Sequence, residues 1–226
     1  MTMSSSIQIL CLTGWQQPSD ALADIAPNAL HFDYGAYDRL DVALAALPHT
    51  PELVIGWSLG AFIAMEAIAR GICRPRQLLL LGAKYQYASD AAFPHGASRE
   101  RIEETRRHYM SDPQGMLRQF QSLIAKGDEH ERSIMHLLHV QGAPLWPQGP
   151  FWLDQLRTLS CRAMDMNAFP PTHIVHGTMD VITPPEHAQC LHKALPASTL
   201  EIWPRCAHAP HLHDPERLRA IIASYV

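Results

Sequence analysis

The sequence has only a small excess of negative over positive charge, and it has no long apolar runs. The formal charge is −4 over 226 residues, which excludes the broad positive field typical of nucleic-acid-binding proteins. The first apolar run, residues 7–12, follows no basic region and is too short for a signal core or a membrane span. We therefore expect neither a nucleic-acid nor a membrane partner, and a cytoplasmic location.

Cysteine is sparse, and its spacing matches no redox or metal motif. The five cysteines, at positions 11, 73, 161, 190 and 206, include no C-x-x-C pair. This pattern favours reduced, mostly structural thiols. The sequence also lacks internal repeats and low-complexity tracts. With 47% apolar and 18% charged residues, the chain has the composition of one globular domain with room for an insertion.

Short apolar runs alternate with helix-favouring stretches over most of the chain. The runs that we predict to be strands are residues 7–12, 30–34, 53–55, 77–81, 172–176 and 199–203. Helices are predicted within residues 18–26 and over residues 38–47, 61–70, 185–195 and 214–225. Strands that alternate with helices, some of them continuously apolar, predict an α/β fold with a doubly wound, mostly parallel sheet.

The alternation stops between residues 84 and 149. Helices are predicted there at residues 98–110, 114–126 and 128–140, and a Pro/Gly-rich return follows. We expect residues 84–149 to form a helical lid over the strand ends. The lid would be inserted in a core made of residues 1–83 and 150–226.

Residues 56–60, Gly-Trp-Ser-Leu-Gly, lie between a predicted buried strand and a predicted helix that ends at Gly71. Strand, tight turn and helix are the context that a G-x-S-x-G nucleophile elbow requires. The pattern predicts Ser58 as a nucleophile and the Leu59 N–H as an oxyanion donor. The alternative is a chance occurrence of a short motif.

A serine nucleophile needs a base and an orienting acid, which in such folds follow in the order Ser, Asp or Glu, His. Asp180 follows the fifth predicted strand and His208 follows the sixth, so both loops belong to the carboxyl edge of the sheet, where Ser58 also lies. Asp90 and Asp165 remain rival acids.

Three of the fourteen histidines form an H-x-x-H-x-H run, His208, His211 and His213. The run lacks a helical i, i+4 pair and contains Pro210, so we predict no metal site, and a metal bound by these histidines is the alternative. The alternative to metal binding for His211 and His213 is that they are polar loop residues. After the first strand, the Trp15 N–H is the candidate second oxyanion donor, and packing of Trp15 against the lid is the alternative.

Together these pieces resemble the α/β-hydrolase superfamily and, more narrowly, the pimeloyl-acyl-carrier-protein methyl ester esterases of biotin synthesis (BioH). The matching segments are Gly14-Trp15, residues 56–60, residues 177–180 with Pro184, Ala207-His208-Ala209-Pro210, and the lid-like stretch 117–127. The resemblance implies a cofactor-independent serine ester hydrolase with Ser58, Asp180 and His208 as its triad. It also implies that Trp15 and Leu59 supply the oxyanion hole.

Two departures from the family concern regions outside the triad. Thr13 stands where the family usually has a histidine before Gly-Trp. The family also begins with an extra hairpin, whereas six residues precede the first strand here, so we expect a leaner sheet of about six strands. The function hypotheses are hydrolysis of the carrier-bound methyl ester, a general short-chain carboxylesterase or thioesterase, and a non-catalytic binding protein of the same fold.

The predicted lid carries both apolar and charged candidates for substrate contact. The side chains proposed to line an acyl slot are Trp15, Met110, Met116, Phe120, Leu123 and Trp146. Docking of an acidic acyl-carrier protein would use Arg106, Arg107 and Arg118. Acidic and basic residues are equal in number over residues 98–132, so a solvated helix with Glu103 paired to Arg107 is the alternative.

Overall fold

A six-stranded parallel sheet forms the centre of the computed structural model, which describes residues 8–225. The strands are β1 (Ile9–Leu12), β2 (Leu30–His31), β3 (Leu53–Trp57), β4 (Gln77–Leu81), β5 (Thr172–Gly177) and β6 (Ser198–Trp203). Their order is β2-β1-β3-β4-β5-β6, and every neighbouring pair is parallel. The predicted α/β class and strand number are confirmed, while Ile7 of the first predicted strand lies outside the described residues.

Helices cover both faces of the sheet and the carboxyl ends of its strands. They are α1 (Leu40–Ala45), α2 (Leu59–Ala69), α3 (Arg99–Ser111), α4 (Pro113–Ala125), α5 (Glu131–Gln141), α6 (Gly149–Thr158), α7 (Glu186–Ala194), α8 (Pro210–His213) and α9 (Pro215–Ala223). Short 3-10 helices occupy Tyr34–Ala36 and Met166–Ala168. Within residues 8–225, every helix is too short or too polar to cross a bilayer.

Two predicted elements differ in the structure. Residues 18–26 form successive turns instead of a helix, with bonds such as Ala21 N–H to the Pro18 carbonyl. The second strand is only two residues long, because the chain turns into a 3-10 helix where Tyr34 is buried and donates its hydroxyl to the Thr13 carbonyl at 2.6 Å. A hydrogen bond from a side chain to a distant backbone carbonyl cannot be predicted from the periodicity of apolar residues.

Strand β3 and helix α2 are almost completely buried. All five residues of β3 are buried, and α2 is buried on nearly every side, with Glu66 and Ala69 the least covered. A helix that is apolar all round fits only in the interior. The segment thus places the residue between β3 and α2, Ser58, at the centre of the sheet's carboxyl edge.

Helices α3 to α5 lie between β4 and β5 in the chain, where the lid was predicted. Ile124 and Ile134 pack in one cluster with Trp203 of β6 and Leu218 of α9. The division of the chain at residues 84 and 149 stays a prediction.

Ion pairs connect α3 to α6. Glu103 pairs with Arg157 at 3.0 Å and Arg106 with Asp154 at 3.2 Å. The pair of Glu103 with Arg107, which was the alternative to a docking surface, is therefore replaced by a contact of Glu103 to the neighbouring helix. A charged side chain on the face between two helices pairs with a residue of the other helix. The spacing of residues within one helix cannot predict such a partner.

We predict that Gly60→Ala costs far more stability than Gly71→Ala, although both change a glycine at one end of α2. A Cβ on Gly60 would collide with the backbone carbonyl of Leu12 in β1, so the helix must move; we expect a loss of about 3 kcal/mol or more. A Cβ on Gly71 meets only the Arg74 side chain at 3.7 Å, and its φ of +67° costs an alanine about 1–2 kcal/mol. Urea unfolding measures both, and equal losses would contradict the close approach of α2 to β1.

Candidate active site

Ser58 occupies the strained turn between β3 and α2. Its φ of 55° and ψ of −116° lie in a region that side-chain-bearing residues rarely adopt. The turn is held by the Ser58 N–H, which donates to the Leu81 carbonyl at 2.9 Å. Gly56 permits the turn, because a Cβ there would come within 2.5 Å of the Ala61 Cα. This is the local geometry expected of a nucleophile elbow.

His208 bridges Ser58 and Asp180. Its Nε2 lies 2.9 Å from Ser58 Oγ, and its Nδ1 lies 2.7 Å from Asp180 Oδ2. A carboxylate only accepts, so Nδ1 carries the proton and Nε2 is left to accept the serine hydroxyl. The three residues predicted from chain order are thus brought together from positions separated by up to 150 residues.

Asp180 is buried but well supplied with donors. Its Oδ1 accepts the backbone N–H groups of Ile182 at 2.9 Å and Thr183 at 2.7 Å. Burial alone would raise the pKa of Asp180, but His208 and these hydrogen bonds outweigh it and hold the pKa below its usual value. His176, which sequence reasoning missed, lies behind the carboxylate, with Nε2 2.6 Å from the Thr183 carbonyl and 3.3 Å from Asp180 Oδ2.

The backbone of His208 is fixed by contacts from two sides. Trp57 Nε1 donates to the His208 carbonyl at 2.8 Å, and the His208 N–H donates to the Ile124 carbonyl at 3.1 Å. The first contact comes from β3 and the second from α4. The imidazole is therefore oriented jointly by the sheet and by a helix of the predicted lid.

The rival acids occupy other environments. Asp90 is exposed and pairs with Arg162 at 2.6 Å, and Asp165 caps the 3-10 helix that begins at Met166. Neither approaches His208 within hydrogen-bond distance.

The other histidines of the H-x-x-H-x-H run point to separate partners. His211 is buried against the Trp57 ring, with ring centroids 4.3 Å apart, and burial lowers its pKa to about 3. His213 Nδ1 lies 2.9 Å from Asp128 Oδ1. The three imidazoles therefore do not converge on one point, and His211 is core packing instead of a polar loop residue.

Asp128 is a buried carboxylate that the sequence analysis did not single out. It accepts the backbone N–H groups of Ala207 and His130, each at 2.8 Å. With His213 and Cys206 it brings possible ligand atoms within 4.8 Å of one another. Burial, then the Asp128 carboxylate, raises the pKa of the Cys206 thiol. Through its bond to the Ala207 N–H, Asp128 holds the residue before His208.

Two residues whose backbone N–H groups are oxyanion-hole candidates lie near Ser58, Leu59 as its chain neighbour and Trp15 on the loop after β1. Leu59 is the first residue of α2, where a helix offers its N–H no acceptor. Gly14, which precedes Trp15, packs so close to the elbow that a Cβ would lie 3.5 Å from Ser58 Cβ. Within residues 8–225 the Trp15 N–H has no hydrogen-bond acceptor. These are the two donors that the sequence analysis named.

A cavity of about 280 Å³ opens above Ser58, between the sheet's carboxyl edge and helices α3, α4 and α6. The predicted slot residues that line it are Trp15, Met116, Phe120 and Leu123. Trp15 and Phe120 meet edge to face with centroids 5.5 Å apart, so Trp15 also packs against the lid helix.

Two predicted slot residues do not line this cavity. Trp146 packs edge-on against Tyr34 at 5.4 Å and fills the space over Gly35. Met110 is 57% exposed on the outer side of α3. The orientation of both side chains depends on how the helices pack together. The apolar character of a residue does not predict that orientation. In their place the cavity wall contains Lys84, which sequence reasoning missed.

Comparison with known proteins agrees with this fold. Residues 11–221 match the Alpha/beta hydrolase family, and the chain belongs to this family. Among solved structures it resembles an esterase from Exiguobacterium antarcticum, with a TM-score of 0.83 and 21% identity over 97% of this chain and 92% of the other. That likeness concerns the fold alone.

More specific relatives carry the name pimeloyl-[acyl-carrier protein] methyl ester esterase. The protein from Aromatoleum aromaticum is 28% identical over 80% of this chain and 77% of its own length. The protein from Chromobacterium violaceum is 29% identical over 87% of this chain and 77% of its own length. The family resemblance drawn from the motifs is therefore confirmed.

We predict that His208→Phe and His211→Phe have opposite consequences for ester hydrolysis. The first removes the only imidazole bonded to Ser58 within residues 8–225 and should lower turnover by about 10⁴-fold. The second replaces a buried ring whose nitrogens make no hydrogen bond within the same residues, so activity should stay within about threefold and stability should be kept. Turnover of p-nitrophenyl acetate checks both, and a large loss in His211→Phe alone would reverse the assignment.

Proposed function

We propose that the protein is a serine carboxylic-ester hydrolase in which Ser58 attacks the ester carbonyl. His208 takes the serine proton through Nε2, and Asp180 orients the ring and stabilises the imidazolium. The observation that supports this proposal is the continuous hydrogen-bonded series Ser58 Oγ, His208, Asp180, at 2.9 and 2.7 Å.

The reaction then follows from the positions of these groups. Attack forms a tetrahedral intermediate, whose oxyanion would accept the N–H groups of Trp15 and Leu59. His208 passes its proton to the departing alcohol and leaves an acyl ester on Ser58. Water, deprotonated by His208, attacks that ester and releases the acid, so that Ser58 regains its proton.

We propose the methyl ester of pimeloyl-acyl-carrier protein as the substrate, with biotin synthesis as its setting. The support is the name shared by the two relatives above and a cavity whose apolar side chains suit an acyl chain. A general short-chain carboxylesterase or thioesterase is the second candidate, favoured by the fold neighbour that is named an esterase. A non-catalytic binding protein is disfavoured because no triad position is empty.

We predict that Ser58→Ala abolishes hydrolysis while the protein stays folded. Loss of the nucleophile should lower turnover by at least about 10⁴-fold, and a fluorophosphonate should label Ser58 in the unaltered protein only. In cells, the unaltered gene should restore growth of a biotin-requiring strain that lacks its own esterase, and the Ser58→Ala gene should not. Label found on another residue would contradict the mechanism, whereas labelling without rescue would leave the general esterase.

Carrier docking, which we also propose, would use exposed lid arginines. Arg107 on α3 and Arg118 on α4 are exposed and have no ion-pair partner among residues 8–225. Arg106 is less suitable, because it already pairs with Asp154 at 3.2 Å. An acyl-carrier protein is acidic, so two unpaired arginines on the exposed surface of the lid helices would attract it.

We predict that reversing Arg107 and Arg118 to Glu slows hydrolysis of a carrier-bound methyl ester about tenfold and leaves a free methyl ester unaffected. Steering charges act on encounter and not on the chemical step. The defect should shrink as salt is raised, since exposed charges are screened beyond roughly 10 Å at 0.1 M. Steady-state kinetics at two ionic strengths measures this.

The matched control for that experiment reverses Arg74 and Lys193 to Glu. Both are exposed, away from the predicted lid, and without an ion-pair partner in the described part of the chain. The control makes the same change in net charge, so an equal effect of both double variants would contradict docking at the lid.

A further inference from the structure

Lys84 places an ammonium group in the wall of the cavity that contains Ser58. Its Nζ donates to the Ile182 carbonyl at 2.6 Å and to the Thr183 hydroxyl at 2.8 Å. Both acceptors are uncharged. The lysine therefore has hydrogen bonds but no compensating charge from these partners.

The carboxylates of residues 8–225 leave this ammonium without an ion pair. Asp180 is the acid that most affects it, but that carboxylate is already bonded to His208 at 2.7 Å. Burial lowers the pKa of Lys84 to about 8, Asp180 opposes the shift, and Arg101 adds to it. Lys84 is partly buried, and a partly buried cation is stabilised by a nearby anion.

Arg101 is a second cation on the same cavity wall. It is exposed on α3, where the cavity meets solvent, and forms no ion pair within the described residues. Glu104 is the one carboxylate among the described lining residues, and it also lies exposed on α3. His187 lines the cavity as a neutral ring, because burial lowers its pKa to about 3. The wall thus presents two cations and one rim acid.

We propose that Lys84, assisted by Arg101, binds the free carboxylate of a dicarboxylic acid half-ester whose ester carbonyl lies at Ser58. The proposal rests on the ester hydrolysis proposed above and adds a class of substrate to it. A carboxylate at the far end of a short acyl chain would supply the counter-charge that Lys84 lacks. A carrier-bound acyl chain ends in a neutral thioester, so the subsite serves half-esters that are free of the carrier.

The test compares two methyl esters of equal chain length, monomethyl pimelate and methyl heptanoate, which differ by one carboxylate. In Lys84→Met, we expect kcat/KM for monomethyl pimelate to fall about tenfold to a hundredfold more than for methyl heptanoate, because a hydrogen bond to a charged group is lost. Arg101→Met should shift the same ratio in the same direction by less. The matched control Lys193→Met, on the exposed side of α7, should leave the ratio unchanged.

Equal losses on both esters in Lys84→Met would overturn the proposal and make Lys84 only a positioning residue for the Asp180 loop. The anion bound by Lys84 could instead be a phosphate. The pantetheine and 4′-phosphopantetheine thioesters of methyl pimelate test this, because only the second carries a phosphate. If Lys84→Met impairs the phosphorylated thioester selectively, the subsite takes the phosphate and the carboxylate assignment is wrong.

Calorimetry with pimelate and heptanoate tests binding without turnover. We expect pimelate to bind the unaltered protein at least tenfold more tightly than heptanoate does, and Lys84→Arg to keep most of that preference. If no ester is hydrolysed but pimelate binds through Lys84, the proposed function fails and the subsite stands. If esters are hydrolysed and pimelate has no advantage, the subsite fails and the proposed function stands.

Discussion

The site depends on how closely α2 approaches the sheet. Gly60 lies against the carbonyl of Leu12, and Gly56 lies against Ala61, with no room for a side chain at either position. This contact forces the chain to reverse direction over a single residue, Ser58, whose φ of 55° is the result. Tight packing behind the turn over-determines the strained conformation, which is how such conformations persist in folded proteins.

The histidine is positioned from the opposite direction. Its loop is held by Asp128, which accepts the Ala207 N–H, and by the Ile124 carbonyl at the end of α4. Phe120, which lines the cavity above Ser58, lies one turn before Ile124 on the same helix. A shift of α4 would therefore change both the cavity and the orientation of His208, so the cavity wall and the proposed catalytic base are mechanically connected.

The wall of the cavity contains both apolar and cationic side chains. Neither of the candidate substrate classes, taken alone, requires both kinds of side chain. Phe120 and Leu123 suit a hydrocarbon chain, while Lys84 and Arg101 suit an anion. The Lys84 ammonium also reaches the loop of Asp180, through Thr183. The Lys84 side chain thus lies both in the cavity wall and against the loop that holds Asp180.

The sequence by itself determined the fold class and the approximate place of the chemistry. Short apolar runs that alternate with helical stretches predict a parallel α/β sheet, since this pattern reports burial on both faces. The Gly-Trp-Ser-Leu-Gly turn and the order Ser, Asp, His identified Ser58, Asp180 and His208 as candidates, whose catalytic roles stay a proposal.

Only the tertiary structure decided which side chains meet. It brings His208 to Ser58 while directing His211 into the core, although the two are three residues apart. It turns Trp146 away from the cavity onto Tyr34, and it brings Lys84 into the wall instead. The reason is physical: apolar periodicity records whether a residue is buried, whereas its partner is set by packing between segments far apart in the chain.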